Sequence, residues 1–297
     1  MEYALGIDLG GTNVKTLAVT ARGRVLAEAS VPTGGTNHPR WKNAVRNAAK
    51  QIQDQLRSAP AWMGVAAPGL PSPNQRCIAH MPGRLPGLEE LDWQKAFAFP
   101  RVIPVLNDAQ AALLGEVWLG AARRAQNAIL FTLGTGVGGA ALVDGRLLRG
   151  HLGRAGHLGH ISLNPAGKRD IVNTPGSLED AIGNSSLSAR SGGRYCDTEK
   201  LLAATLRDDP EARRIWSDSI RALAAAIASL INVLDPQTVV IGGGIAKAGP
   251  RLFVPLRRQL ARFEWRPAGA KARIVPAQLG DRAGAFGAAW NAMNFRD

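Results

Sequence analysis

Two stretches of this sequence share one order of elements: an apolar strand, a glycine-rich turn and a second strand. The first covers residues 4–15 and the second residues 127–141. Such a turn exposes backbone N–H groups with no side chain in the way, and groups of this kind bind phosphate oxygens. Any tight hairpin can contain two glycines, so one turn alone is weak evidence. The repetition predicts a duplicated α/β domain with a phosphate chain held between its halves.

The size and composition of the chain place it among globular proteins. Its 297 residues suffice for two domains of ordinary size, and 45% of them are hydrophobic. No apolar run reaches the roughly 20 residues of a membrane span, and no secretion signal precedes the first strand. Cys77 and Cys196 lie far apart and are expected to be free thiols. Together these features predict a cytoplasmic protein.

The formal net charge of +13 raises the question of a nucleic-acid partner. The basic residues form short clusters, such as Arg257 and Arg258, and no basic tail or DNA-binding helix pair is evident. They mostly interrupt predicted helices, as solvated faces do. We therefore expect an arginine-rich surface and no nucleic-acid partner. Attraction of an anionic substrate, such as a nucleotide or polyphosphate, is a second use of the same charge.

The hydrophobic pattern predicts strands that alternate with helices. Strands are predicted at residues 3–8, 14–19, 25–29, 62–66, 102–106, 128–132, 137–143, 146–148, 238–241 and 272–275. Helices are predicted at residues 42–57 and 109–120, along the apolar stripe at 220–234, and from about residues 250 and 283. The remaining segments are predicted to be a loop at 32–39, an irregular excursion at 72–100 and a substrate loop with one helix at 150–197. The alternation predicts an α/β fold with antiparallel meander strands added to each sheet.

Asp8 ends the first predicted strand, immediately before the glycine turn at residues 10–12. A carboxylate at such a position often holds Mg²⁺, usually through water. Lys15 is placed to meet a phosphate. The alternative is an ordinary hairpin with a capping aspartate, and the second glycine turn at residues 134–136 makes the phosphate interpretation the better one.

Asp108 follows another predicted strand, with Asn107 before it and a predicted helix after it. Phosphoryl transfer to a hydroxyl group needs a positioned carboxylate that accepts the hydroxyl proton. The amide of Asn107 can hold neighbouring hydroxyl groups. An Asn-Asp pair is more commonly a plain helix N-cap, so the catalytic interpretation depends on the glycine turns.

Three consecutive glycines, Gly242, Gly243 and Gly244, follow a predicted strand. They allow a flat ligand to approach the backbone closely. This signal is weak by itself, because a simple loop has the same composition.

The order of these motifs resembles the ROK (repressor, open reading frame, kinase) family of sugar kinases. The resemblance is carried by DLGGTNVK at residues 8–15, NDAQAALLGE at 107–116, LGTGVGGA at 133–140, GHLGH at 156–160, LDPQTVVIGGGI at 234–245 and GDRAGAFGAAW at 280–290. It spans nearly the whole chain. It implies an α/β fold of two actin-like (ribonuclease H-like) domains with ATP and a sugar in the cleft between them. The smaller domain would comprise residues 1–107 with the C-terminal helix 284–297, and the larger one residues 108–283.

The resemblance also implies roles for the site residues. Asp108 would be the base that activates a sugar hydroxyl, beside the Mg²⁺ role of Asp8. The residues expected to bind the sugar are Gly69, Asn107, Asp108, His157, His160 and Glu179. The residues expected to bind ATP and its phosphates are Gly10, Gly11, Thr12, Asn13, Lys15, Gly134, Thr135, Gly136, Gly242, Gly243 and Gly244, the last three near adenosine.

Two departures from the family pattern stand out. Family members usually carry a glutamate, which bonds sugar hydroxyls near the anomeric carbon, where this chain has His157. A histidine still bonds hydroxyls but supplies no carboxylate, so glucose specificity does not follow from the resemblance.

The second departure concerns a zinc site. Family members often have a Cys-x-Cys-Gly-x-x-Gly-Cys-x-Glu segment that binds structural zinc with a histidine. Here Asp170, Val172 and Ser177 occupy the cysteine positions. One histidine and one aspartate do not make a tetrahedral zinc site, so no structural zinc is predicted, and His160 is retained for its sugar contact. Glu179 has a second interpretation, as an acidic residue in the first turn of a helix capped by Ser177.

The leading hypothesis is a cytoplasmic kinase that transfers the γ-phosphoryl group of ATP to a hydroxyl of a hexose or a related sugar or polyol. Mg²⁺ and backbone N–H groups would stabilise the transferred charge, and domain closure would exclude water. A sugar-responsive regulator is disfavoured, because Asp8 leaves no room for a preceding winged helix. The alternative is a sugar-binding sensor without turnover, which the His157 departure allows.

Several properties stay open at this level. The sequence does not specify the sugar, the hydroxyl, the oligomeric state or whether polyphosphate can replace ATP, although the glycines at 242–244 favour a nucleoside. Members of the family commonly form homodimers or homotetramers, and the apolar helices after Thr198 are candidates for the subunit interface.

Overall fold

The computed structural model describes residues 2–35, 39–81 and 83–296. Contacts within the chain define two compact units. Unit 1 comprises Met1–Arg124, Arg149–Ala155 and Gln278–Asp297, and unit 2 comprises Ala125–Leu148 and Gly156–Ala277. Residues 36–38 of the predicted loop at 32–39 lie outside the described residues.

Regular structure agrees with the predicted strands to within a few residues. The strands are β1 (Ala4–Leu9), β2 (Asn13–Val19), β3 (Val25–Pro32), β4 (Trp62–Ala67), β5 (Leu70–Pro71), β6 (Ile78–His80), β7 (Val105–Asn107), β8 (Ala128–Leu133), β9 (Val137–Val143), β10 (Arg146–Leu147), β11 (Thr238–Gly242) and β12 (Arg273–Pro276). The helices are α1 (Trp41–Leu56), α2 (Trp93–Phe97), α3 (Asp108–Trp118), α4 (Leu178–Ile182), α5 (Asn184–Arg190), α6 (Thr198–Thr205), α7 (Pro210–Leu234), α8 (Pro250–Phe263) and α9 (Ala283–Asn294).

Each unit is built on a five-stranded sheet of the same topology. The order is β3-β2-β1-β4-β7 in unit 1 and β10-β9-β8-β11-β12 in unit 2. In both sheets three successive strands form an antiparallel meander, and two further strands add in parallel beside its first strand. The duplicated α/β domain predicted from the two glycine turns is therefore confirmed.

Helix α9 packs against the sheet of unit 1 and against α3 at backbone distance, and glycines make this approach possible. A Cβ atom on Gly6 of β1 would lie 1.9 Å from the carbonyl oxygen of Ala285. A Cβ atom on Gly287 would lie 1.7 Å from the carbonyl oxygen of Ala111 in α3. The C-terminal helix is thus part of unit 1.

The boundary between the units differs from the predicted one. The sequence-based division placed everything from residue 108 to 283 in the second domain. The contacts instead group α3, residues 149–155 and residues 278–283 with unit 1. The packing of α3 on α9 accounts for the position of α3.

Helix α7 has the length and apolar composition of a membrane span. Its apolar stripe, which includes Ile220, Leu223 and Ile227, is buried in the hydrophobic core of unit 2. The opposite face carries charged residues such as Asp218 and Arg221, which pair with each other. The helix is therefore the core element of unit 2, and this stripe is not available as an oligomer interface.

Two segments contain more regular structure than expected. The excursion at residues 72–100 includes β6 and α2, and Trp93 of α2 packs its ring 6.0 Å from that of Trp41 in α1. The loop at residues 150–197 holds α5 as well as the predicted helix α4. These elements are short, and prolines and glycines interrupt the sequence around them, so they leave no clear pattern. Long-range packing stabilises them instead.

Candidate active site

In unit 1, the turn between β1 and β2 leaves backbone N–H groups open. The Gly10 N–H donates to the carbonyl oxygen of Asn13 at 3.0 Å, and the Thr33 N–H donates to that of Thr12 at 2.8 Å. The N–H groups of Gly11 and Thr12 have no backbone acceptor among the described residues, and both residues are exposed. The turn therefore has the open amides that phosphate binding requires.

The carboxylate of Asp8 lies at the end of β1, where the missing side chain of Gly284 makes room for it. A Cβ atom on Gly284 would lie 2.5 Å from Asp8 Oδ2. Burial, followed by the negative charge of Asp108, raises the pKa of Asp8 to about 7; Lys15 opposes this shift and Asp281 adds to it. A divalent cation would relieve the repulsion between these carboxylates, so the residues fit the Mg²⁺ expected here.

Lys15 is already paired in this structure. Its ammonium donates to Asp281 Oδ2 at 2.6 Å, and the Asp281 side chain is 78% exposed. Such an exposed pair contributes about 0–1 kcal/mol, so an arriving phosphate can displace it at small cost. The sequence analysis did not single out Asp281, although it lies in the motif at residues 280–290.

Asn107 and Asp108 lie where β7 ends and α3 begins. Asn107 Oδ1 accepts a hydrogen bond from the Ala109 N–H at 2.9 Å, and the Gln110 side chain completes a capping box with the Asn107 N–H. Asn107 Nδ2 donates to the carbonyl oxygen of Gly69 at 3.0 Å. Two residues predicted for the sugar site, Gly69 and Asn107, are therefore in contact, and the Asn107 amide keeps a second N–H.

Asp108 is not needed as the helix cap, because Asn107 serves in that position. Its Oδ1 accepts from the Ala109 N–H at 2.8 Å, and water reaches the residue. The surrounding protein still removes enough hydration to raise the pKa of Asp108, against the hydrogen bonds from Ala109 and Asn107 that lower it. An accessible carboxylate with a raised pKa suits a general base.

In unit 2, helix α5 anchors the turn between β8 and β9 by hydrogen bonds to the turn's carbonyl groups. The Gly134 N–H donates to the Gly136 carbonyl at 2.9 Å, and the Gly134 and Thr135 carbonyls accept from the N–H groups of Asn184 and Ser185 in α5. The N–H groups of Thr135 and Gly136 have no backbone acceptor in the described part of the chain. Unit 2 therefore repeats the arrangement of open amides found in unit 1.

The three glycines at the end of β11, of which Gly242 is its last residue, lie next to this turn. Strands β8 and β11 are parallel neighbours, so the segments that follow them lie at the same edge of the sheet. Gly243 has φ of +86°, and a Cβ atom there would lie 2.3 Å from the Leu133 carbonyl oxygen, whereas no atom lies within 4 Å of the Cβ position of Gly244. Gly243 is thus packed against the end of β8, and the backbone at Gly244 is open to a ligand beside the turn.

Glu179, one of the residues predicted to bind the sugar, contacts the first residue of the strand after the glycine turn. It is buried in the first turn of α4, whose N-cap is Ser177, and its Oε2 accepts from the Val137 N–H at 2.8 Å. A Cβ atom on Gly136 would lie 2.4 Å from the same oxygen. The carboxylate thus occupies the capped first turn proposed as its second interpretation, and no hydrogen bond to Oε1 is found among the described residues.

His157 and His160 lie at the two ends of a short 3₁₀ segment, Leu158–His160. Burial, and then the positive charge of His160, lowers the pKa of His157, so that His157 is neutral near pH 7. A neutral imidazole can both donate to and accept from hydroxyl groups. His160 Nδ1 lies 2.8 Å from Asp170 Oδ2.

The side chains of residues 170, 172 and 177, where family members often have cysteine, do not fit a zinc site. Asp170 is engaged with His160 and with the N–H groups of Val172 and Thr174, Val172 has no donor atom in its side chain, and Ser177 caps α4. Within the described residues, no group of three or more histidine, cysteine or acidic side chains is arranged to hold a metal ion. A tetrahedral zinc site needs four such ligands.

Two duplicated α/β units, each with an open glycine turn after its first strand, define the actin-like fold of ATP-dependent phosphotransferases. The sequence model of the ROK family matches residues 4–294. The chain belongs to the ROK family.

Individual relatives agree with this assignment. The glucokinase of Thermotoga maritima is 30% identical over 96% of this chain and 95% of its own. The N-acetylmannosamine kinase of Citrobacter koseri is also 30% identical, over 96% of this chain and 97% of its own. Among solved structures, the ROK hexokinase of Thermus thermophilus has a TM-score of 0.87 with 29% identity and 98% of both chains covered. A ROK glucokinase from Streptomyces griseus, solved with glucose and AMPPNP, has a TM-score of 0.80 with 26% identity, covering 99% of this chain and 100% of its own.

Proposed function

We propose that this protein is an ATP-dependent kinase that transfers the γ-phosphoryl group to a hydroxyl of a hexose or a related sugar or polyol. The names of the relatives, glucokinase and N-acetylmannosamine kinase, support a sugar acceptor, and the complex of a similar protein with AMPPNP supports ATP as donor. The observation that carries the proposal is Asp108, an accessible carboxylate at a strand end whose helix is capped by its neighbour Asn107.

Asp108 acts as the base of the reaction. It accepts the proton of the acceptor hydroxyl while the oxygen of that hydroxyl attacks the γ-phosphorus and the bond to ADP breaks. A positioned general base of this kind contributes about 10²- to 10⁴-fold to the rate. Asn107, with its remaining amide hydrogen, and Gly69 help to orient the acceptor.

The sugar and nucleotide are bound by groups that the chain leaves open. In unit 2, Glu179, His157 and His160 supply polar atoms for sugar hydroxyls. The amides of the turns at residues 10–12 and 134–136 hold phosphate oxygens, as does Lys15 after it leaves Asp281. The residues proposed for the adenosine side are Gly242, Gly243 and Gly244. Asn13, the first residue of β2, completes the set proposed to bind phosphate.

The proposed reaction uses Mg²⁺, for which we assign one binding residue. Asp8 would hold the ion, through water, and the bound ion would neutralise phosphate charge. The acidic surroundings of Asp8 support this assignment.

The test is ATP consumption with Mg²⁺ by the purified protein across neutral sugars, N-acetylamino sugars, amino sugars and polyols. We expect turnover with one acceptor class and its loss in Asp108→Asn. Asp92→Asn is the matched control, because Asp92 caps α2 of the same unit and asparagine caps a helix equally well. Turnover that survives in Asp108→Asn would contradict the assigned base.

The competing proposal is a sugar sensor without turnover, which His157 at the usual glutamate position allows. Calorimetric sugar binding with no ATP consumption on any acceptor would decide for it. The intact pair of glycine turns and Asp108 favour the kinase.

We further propose a cytoplasmic homodimer or homotetramer. The use of ATP and the free thiols Cys77 and Cys196 suit a reducing compartment. Among the exposed apolar side chains of unit 2, those of Val233, Val254, Phe263 and Trp265 are candidates for self-association. Light scattering of the purified protein tests this state.

A further inference from the structure

Asp170 is a buried carboxylate that organises a loop of unit 2. Its side chain has no solvent exposure, and it accepts hydrogen bonds from His160 Nδ1 at 2.8 Å, the Val172 N–H at 3.0 Å and the Thr174 N–H at 2.9 Å. Burial favours the neutral acid, but these bonds and that of Ser177 outweigh it and lower the pKa of Asp170. A carboxylate with this many donors is charged and fixed in position.

The same bonds orient the ring of His160. An ionised carboxylate can only accept, so His160 Nδ1 must be the donor. In the neutral imidazole, the proton on Nδ1 leaves Nε2 as a free acceptor. The ring is one-fifth exposed, whereas the Asp170 side chain is not. The pair therefore presents a single tautomer to any ligand.

The backbone on both sides of this pair is also held. A Cβ atom on Gly159 would lie 2.0 Å from the Val137 carbonyl oxygen, which places the 3₁₀ segment directly against β9. At the other end, the Leu178 N–H donates to the Ile161 carbonyl at 3.1 Å and closes the loop of residues 161–177. Glu179 follows directly after this closure.

The zinc ion that the family resemblance implies for this loop has no fitting ligand set here, as the side chains at residues 170, 172 and 177 show. The loop is nevertheless closed, and His160 is nevertheless fixed. The Leu178–Ile161 bond joins the ends of the loop, and the Asp170 carboxylate ties its middle to His160 by accepting hydrogen bonds directly.

We propose that Asp170 is the positioning residue of His160: it ties the middle of the loop of residues 161–177 to His160 without a metal ion and holds His160 in the Nδ1–H tautomer, so that Nε2 accepts a hydrogen bond from a sugar hydroxyl. The sugar contact rests on the proposed kinase function, whereas the tautomer and the metal-free link do not. A purely structural role for Asp170 would stabilise the loop without affecting the tautomer.

The test compares Asp170→Ala and Asp170→Asn with Ser162→Ala as the matched control. Ser162 Oγ donates to the Pro175 carbonyl at 2.6 Å and so tethers the same loop without touching His160. Nitrogen-15 NMR of the imidazoles, assigned with His160→Gln, reports the tautomer at a pH where the ring is neutral. Steady-state kinetics report KM and kcat for the sugar.

We expect the wild type and Ser162→Ala to show the Nδ1–H tautomer and sugar KM values within about twofold. Asp170→Ala should lose the preference for Nδ1–H and raise KM for the sugar about tenfold, the effect of one hydrogen bond, with a smaller change in kcat. Asp170→Asn keeps an acceptor and should recover part of the effect. It also serves as the test variant if Asp170→Ala does not fold.

Two results would overturn the proposal. One is an unchanged tautomer in both Asp170 variants; the other is stoichiometric zinc in the purified protein with a His160 tautomer that changes on chelation. If the wild type phosphorylates no sugar, the kinase function fails, and the tautomer and metal measurements still decide this proposal.

Discussion

The carboxylate of Glu179 accepts a hydrogen bond from the backbone N–H of Val137 at 2.8 Å. Val137 is the first residue of β9, directly after the glycine turn of residues 134–136. One buried side chain therefore links a residue proposed for sugar binding to a turn proposed for phosphate binding. We expect the two binding functions to depend on each other through this bond.

Removal of this link should affect both substrates. Glu179→Ala leaves the Val137 N–H buried without a partner, which costs about 1–3 kcal/mol, and releases the turn. We expect lower thermal stability and higher KM values for both ATP and sugar. Glu179→Gln keeps an acceptor oxygen and should mainly raise the sugar KM. An ATP KM unchanged in Glu179→Ala would show that the turn does not need this support.

Asp8 should make the metal-free protein less stable as the pH rises. Its pKa is about 7 in the folded protein, against about 3.9 for an unfolded aspartate. Between about pH 4 and pH 7, Asp8 is therefore protonated in the folded state and ionised in the unfolded state. The contribution to folding is present below this window and is lost as the pH rises through it.

Asp8→Asn should remove this effect. A shift of about three pKa units corresponds to at most roughly 4 kcal/mol, so the variant should be more stable than the wild type at pH 8 and should lose that advantage toward pH 4. Urea unfolding with EDTA at several pH values measures this. The same variant should be inactive with Mg²⁺ and ATP. A stability difference independent of pH would contradict the raised pKa.

Gly287→Ala should disrupt unit 1. In open helix interiors this change stabilises by about 1 kcal/mol. Here the new Cβ atom would lie 1.7 Å from the Ala111 carbonyl, and the backbones of α9 and α3 must separate. We expect a net loss of several kcal/mol, in the range of severe overpacking. Asn294→Ala, on the exposed last turn of α9, is the control for urea unfolding and should remain close to the wild type.

Glu116 should be a strong stabilising residue of unit 1. It is fully buried, and its two oxygens accept from the N–H groups of Gln278, Leu279 and Ala121 at 2.9, 2.8 and 2.7 Å. In Glu116→Gln one oxygen becomes an NH₂ group that faces an N–H donor. We expect a loss of about 1–3 kcal/mol in the free energy of unfolding, and a larger loss in Glu116→Ala.

The control for Glu116 is Glu199→Gln, an exposed glutamate in the first turn of α6. It should change the free energy of unfolding by less than about 0.5 kcal/mol. Equal stability of Glu116→Gln and the wild type would mean that the three amides do not need a charged acceptor.

Much of the architecture was predictable because it is encoded in short-range patterns. The apolar strands, the glycine turns at residues 10–12 and 134–136, and Asp8 and Asp108 at strand ends all appear as local arrangements. Their repetition in one order was enough for the α/β class and for the family resemblance. The helices α2 and α5 were not predicted, because they are short and depend on packing.

The sequence by itself determined most of the elements, their duplication and the residue types at each turn, since strand and turn preferences act over a few neighbouring residues. The tertiary structure decided the hydrogen-bond partners. Lys15 pairs with Asp281, 266 positions away, and Glu179 pairs with Val137, 42 positions away. His160 pairs with Asp170. It also decided that α3 packs with α9 in unit 1. These relationships arise from close packing between distant segments, which leaves no periodic signal along the chain.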